Sequence, residues 1–191
     1  MLKKLFAAAA LLLSVQANAT VISVNLDQTQ YKVGETINAR LVVSDIQTLI
    51  SGFEASLNFN QDLVELTDIA FGNFLTLPGF YLDNIQMSQS ASGQVKLTEV
   101  FAGAFQEDLL DLSLLQPNNP FVLATVSFKA LKHGISEFGL TDLSVLYSPM
   151  NSLDYEDTAT IGQAATAELV SAPATLALLF PALFWLRRRQ S

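Results

Sequence analysis

No cysteine occurs among the 191 residues, which excludes disulfides, thiol nucleophiles and thiolate metal sites. Histidine occurs once, at His133 in Lys132-His133-Gly134, a context that predicts a turn between strands. A catalytic triad would have to use that one imidazole, and no nucleophile elbow accompanies it. Tryptophan also occurs once, at Trp185 near the chain end, so the body of the protein has no indole to offer as a sugar platform. Basic residues are scarce in that body: five of the ten lie at Lys3, Lys4 and Arg187 to Arg189, and residues 20 to 168 hold five against all 18 acidic ones, a formal charge of −13. Such a surface excludes nucleic acid as a natural partner and favours divalent cations or a basic protein face.

What is abundant is apolar: 50% of residues, raised by the two ends. Lys3 and Lys4 precede an apolar run from Leu5 to Leu13, and Ala17-Asn18-Ala19 supplies a small-x-small cleavage site. This pattern predicts a secretory signal peptide over residues 1–19, cut before Thr20. At the other end, Leu169 to Leu186 carries no charge. As a helix those residues reach about 27 Å, just enough to span a bilayer, and Arg187, Arg188 and Arg189 place the tail end on the cytoplasmic side.

Between the ends, residues 20–168 read as one domain of short strands. Phe53, Ala55, Leu57 and Phe59 alternate with Glu54, Ser56 and Asn58, a strand with one face in a core and one in water. Asn60-Gln61-Asp62 is a turn; beyond it Val64 and Leu66 slip phase to Ile69 and Phe71, which predicts a bulge. Alternation also marks Val21 to Leu26, Ile37 to Val43 and Phe121 to Ala130, the last with Val122, Ala124, Val126, Phe128 and Ala130 inward. Tyr81 to Met87 and Val95 to Phe101 read as a hairpin across a Ser- and Gly-rich turn, Ser88 to Gly93. Ile135 to Leu140, Leu143 to Tyr147 and residues 158–168 complete the strands. Phe105 to Leu115 is the one helical stretch, stopped by Pro117 and Pro120. Many short strands with regular turns predict an all-β sandwich of jelly-roll topology.

Carboxylates cluster at Glu107, Asp108 and Asp111, where acidic residues suit a helix start, and at Asp154, Glu156 and Asp157, which lack the spacing of a calcium loop. Neither pattern predicts catalysis or a resident metal, and no cofactor motif is present.

The tail resembles the PEP-CTERM sorting signal of Gram-negative bacteria, in which a proline motif, a hydrophobic helix and an arginine cluster follow one another. The matching positions are Val170, Pro173, Thr175 and Leu176, with Arg187 to Arg189; the first proline and the glutamate of the usual Val-Pro-Glu-Pro are replaced by Ser171 and Ala172. The resemblance implies processing by an exosortase and association with exopolysaccharide-producing cells. Residues 21–167 resemble a cohesin, through the Val33-Gly34-Glu35 turn, the Gly52 to Phe59 strand, Leu63-Val64-Glu65-Leu66 and Thr125 to Ala130. The aromatic-Asp-Pro turn usual in that family reads Phe59-Asn60-Gln61 here.

The cohesin resemblance implies a non-catalytic module that docks a sheet face onto a protein partner, dockerin-like or other. It puts Glu54, Ser56 and Asn58 in that face. The expected setting is the cell envelope or extracellular matrix, tethered by the C-terminal segment over 169–191 or released from it. A polysaccharide-associated, carbohydrate-binding role is the alternative.

Overall fold

The computed structural model describes residues 20–46, 49–76, 85–101, 106–116, 120–147, 155–157 and 159–171. Residues 1–19, expected as a signal peptide, and residues 172–191, with Pro173, Thr175, Leu176 and the arginine cluster, lie outside them. Among the described residues there are twelve strands and one helix: β1 (Val21–Leu26), β2 (Gln30–Lys32), β3 (Thr36–Ser44), β4 (Ile50–Asn58), β5 (Val64–Phe71), β6 (Ile85–Ala91), β7 (Gln94–Val100), α1 (Gln106–Leu115), β8 (Phe121–Ala130), β9 (Gly134–Tyr147), β10 (Tyr155–Asp157), β11 (Thr160–Ile161) and β12 (Ala165–Val170).

They form two sheets, one in the order β11-β1-β3-β8-β5 and one in the order β2-β12-β9-β4-β7-β6, with β10 beside β9. From strand to strand the chain crosses between the sheets, except from β6 to β7 and from β9 to β10. Each crossing carries an apolar strand face over the same core, which is a sandwich. Pairing is antiparallel except where β1 meets β11 and β2 meets β12, so each of the first two strands runs parallel to one of the last two.

The inward sets of the two sheets meet as the alternation predicts. Ile37, Ala39, Leu41 and Val43 of β3 are fully buried, as are Phe53, Ala55 and Leu57 of β4. Phe128 joins the layers, its ring centroid 4.8 Å from Phe59 and 5.1 Å from Phe138, in the tilted geometry that aromatic pairs favour. A second small cluster, Phe101 and Leu112 with Leu49 and Leu115, seats α1. Beyond the helix, the Gln116 side chain acts as a ladder rung: its Oε1 accepts from Ile50 N at 3.1 Å and its Nε2 donates to Ile50 O at 2.6 Å. Tyr31, buried at the β1–β2 corner, donates its hydroxyl to Asp27 Oδ1 at 2.6 Å.

The phase slip after Leu66 is a register shift between Leu66 and Asp68 against β8. The Asn60 turn closes without the usual aspartate: Asp62 N donates to Asn60 Oδ1 at 2.9 Å, and Leu63 N and Val64 N donate to Asn60 O. An asparagine side chain supplies the same local acceptor.

Four expectations are corrected. Val122 is half-buried, while Phe121 and Leu123 point inward, because a register shift at Leu41/Val42 of β3 reverses the phase at that end of β8. The β6–β7 hairpin turns at Ser92-Gly93, and Ser88 to Ala91 are strand. Residues 134–147 are one strand instead of two. β12 runs through Val170, and Leu169 is buried, so these two residues belong to the sandwich. The uncharged run left beyond the sheet, residues 171–186, would reach about 24 Å as a helix, short of a bilayer core. Among the described residues no helix is long and apolar enough to cross a membrane.

Candidate functional site

β4 lies between β9 and β7 near the middle of its sheet, so its outward side chains sit over a surface built from three strands. Directly paired residues share a face in an antiparallel ladder. Glu54 therefore stands beside Thr98 and Ser144, Ser56 beside Lys96 and Thr141, and Asn58 beside Gln94 and Gly139.

The polar groups on this surface are bonded to one another. Lys96 Nζ lies 2.7 Å from Glu54 Oε1, one position diagonal across β7 and β4. Asn58 Nδ2 donates to Thr141 Oγ1 at 3.0 Å, and Asn58 Oδ1 accepts from Gln94 Nε2 at 3.0 Å. The result is a row of fixed donors and acceptors, which reduces the ordering cost of docking a rigid partner. Glu54 and Asn58 are half-buried and Thr141 is exposed.

Ser56 differs from its two companions: it is 2% exposed. It is on the outward side, but strands flank it on both edges and a long Lys96 side chain stands opposite. A partner resting on this face meets Glu54, Asn58 and their neighbours, with Ser56 beneath them.

β9 shapes the rim. Glu54 pairs with Ser144 and Ser56 with Thr141, so Asp142 and Leu143 together face the single residue Ala55. Asp142 takes φ 49, a left-handed conformation that aspartate tolerates better than most residues, and it is exposed. This is a bulge, which re-aims side chains at a strand edge.

Two exposed apolar side chains flank the polar centre. Ile135 of β9 is 70% exposed and Met87 of β6 is 53% exposed. Met87 pairs with Thr98, which places it on the same face as Glu54. Ile135 pairs with Glu168, the residue between inward Ala167 and Leu169. The signal for Ile135 is present in the chain, since Phe138 and Leu140 fix the inward phase and leave Ile135 outward. Met87 lies in a polar stretch that has no such reference.

The other sequence candidates lie elsewhere. His133 is exposed in the bend between β8 and β9, beside Val33, Leu131, Lys132 and Ser171 at an open depression where β12 ends. Glu107, Asp108 and Asp111 are in α1, with Asp111 exposed. Asp154 is outside the described residues, and Glu156 and Asp157 are in β10. Among the described residues, no group of three or more His, Asp or Glu is placed to hold a metal ion.

No protein-family model matches the chain, and no curated protein matches it in sequence. Its fold does match solved structures. The seventh ScaB type I cohesin from Pseudobacteroides cellulosolvens superposes with a TM-score of 0.62 at 14% identity, covering 81% of this chain and 94% of that one. A type II cohesin domain from the cellulosome of Acetivibrio cellulolyticus gives 0.60 at 17% identity, covering 78% and 95%. A type I cohesin–dockerin complex from Clostridium thermocellum gives 0.58 at 12% identity, covering 81% and 95%. At these identities the likeness is one of fold: the described domain is a cohesin-like β-sandwich.

Proposed function

We propose that this protein is an exported, non-catalytic binding module that docks onto a protein partner through the outward face of β9, β4 and β7. The observation that carries this reading is the bonded polar row Glu54–Lys96 and Gln94–Asn58–Thr141, flanked by exposed Ile135 and Met87. Polar groups already held in place lower the ordering cost of docking, and exposed apolar side chains on the same outward side supply surface that a partner can bury. The cohesin-like fold supports the same reading, since one solved structure of that fold is a cohesin in complex with a dockerin.

Export is supported by the leader-like residues 1–19. The C-terminal segment, with Pro173, Thr175, Leu176 and Arg187 to Arg189, would be the sorting signal read by an exosortase at the membrane. Its uncharged run beyond β12 is short for a stable span, which favours release to the cell surface or matrix over permanent tethering. The intact mass of the protein from its native cells tests this: a species ending near Pro173 supports release, and one ending at Ser191 refutes it.

A carbohydrate-binding role is less well supported. None of the large apolar side chains exposed among the described residues is aromatic, whereas a glycan face needs flat rings to stack on sugars.

The test of the docking face is partner capture from native envelopes and culture fluid by the full-length protein. Glu54→Lys with Asn58→Ala should lose the captured partner while the thermal unfolding curve stays close to wild type. Undiminished capture by that double variant rules the face out.

A further inference from the structure

A sheet edge exposes unpaired N–H and C=O groups to any strand that approaches, and folded proteins blunt their edges against this. Among the described residues, all but one of the edges of this sandwich are short, charged or broken: β10, beside β9, has three residues and carries Glu156 and Asp157. β2 has three residues and carries Lys32; β11 has two residues; β5 carries Glu65 and Asp68 and is broken by the register shift at Leu66/Asp68. The β6 edge is different. It runs for seven residues, Ile85-Gln86-Met87-Ser88-Gln89-Ser90-Ala91, with no charge and no proline. It pairs with β7 in unbroken register from Ile85 to Ala91, and Gln86 to Ala91 are all exposed. Alternate residues of such a strand turn their backbone groups away from β7 toward solvent.

We propose that β6 is the pairing edge for a second copy of this chain, joined antiparallel about a two-fold axis at Ser88. Pairing there puts Ser88 opposite Ser88, Met87 opposite Gln89 and Gln86 opposite Ser90, so each copy supplies what the other lacks, as an isologous contact requires. Charge selects this edge for a like partner. Two copies of a domain with five basic and 18 acidic residues over 20–168 repel each other over most of their surface. β6 is the long uncharged edge at which that repulsion is least, whereas β11 has only two residues and β5 carries two carboxylates. The two long sheets would join into one, and the faces around Glu54 would be displayed side by side, which strengthens binding to a multivalent partner.

The absence of cysteine gives the test a clean background. In the full-length protein, Ser88→Cys brings two thiols to facing strand positions about 4.5 to 5.5 Å apart at Cα, within disulfide range. Mild oxidation should yield a covalent dimer several-fold above the yield of Thr166→Cys, an exposed control on β12. Adding Met87→Lys and Gln89→Lys, which sets lysine against lysine, should return Ser88→Cys to the control yield. Sedimentation of the protein without these changes should show a concentration-dependent dimer that the two lysines abolish. A monomer at all concentrations, a dimer unaffected by the lysines, or β6 cross-linked only to another protein overturns the proposal.

Discussion

Lys96 Nζ and Glu54 Oε1 are 2.7 Å apart on the outward face of adjacent strands, each side chain about 40% exposed. A pair so wetted contributes little to folding, about 0 to 1 kcal/mol. Lys96→Met should therefore leave the unfolding midpoint within about that margin in a denaturant titration, while weakening partner capture. A loss of several kcal/mol would instead make the pair a structural element.

Gln116 is predicted to matter for folding. Its amide satisfies both backbone groups of Ile50, which is fully buried, and Nε2 also reaches Phe74 O at 3.3 Å. Gln116→Ala strands those groups and should cost about 1 to 3 kcal/mol in chemical denaturation. Amide exchange at Ile50 should accelerate in that variant ahead of exchange at Leu57. Equal protection at both positions would contradict the assignment.

Tyr31 and Asp27 give the domain opposite limbs of pH dependence. Burial first, and donation to Asp27 second, push the Tyr31 hydroxyl up to about 12 from 10.0. Its raised folded value means that the stabilisation is complete below about pH 10 and disappears as pH rises to about 12, a loss of about 2 to 3 kcal/mol. Tyr31→Phe should flatten that alkaline fall. Donation by Tyr31 holds the Asp27 carboxyl below 3.8, so its contribution is present above that pH and is lost as acid protonates it. Asp27→Asn should shrink the acid limb. Thermal unfolding across both ranges checks the two signs.

The core was largely legible because period-2 alternation reports the face of a strand directly. β3, the inner half of β4 and the slip after Leu66 follow from it. Ser56 shows the limit of that signal: alternation places it outward, but only the neighbouring strands determine that it is covered. Alternation misplaces Val122 because the irregularity that flips it lies in the pairing with β3. Ser88 to Ala91 resemble a turn in sequence because a polar edge strand has no buried side to write a pattern. Asp142 joins what reads as two strands, since its left-handed backbone interrupts the alternation without ending the ladder. The signal in β12 is equally faint, as alanine and threonine fill a strand that parallel pairing with β2 helps to close.

The central claim, that the outward face of β4 and its neighbours meets a protein partner, is tested most directly by site-specific photocrosslinking in native cells. A photoreactive residue at Asn58 should give a discrete adduct of higher mass with another protein. The same residue at Arg40, exposed on β3 in the other sheet, should give none. Adducts from Arg40 and none from Asn58, or none from either, would contradict the account.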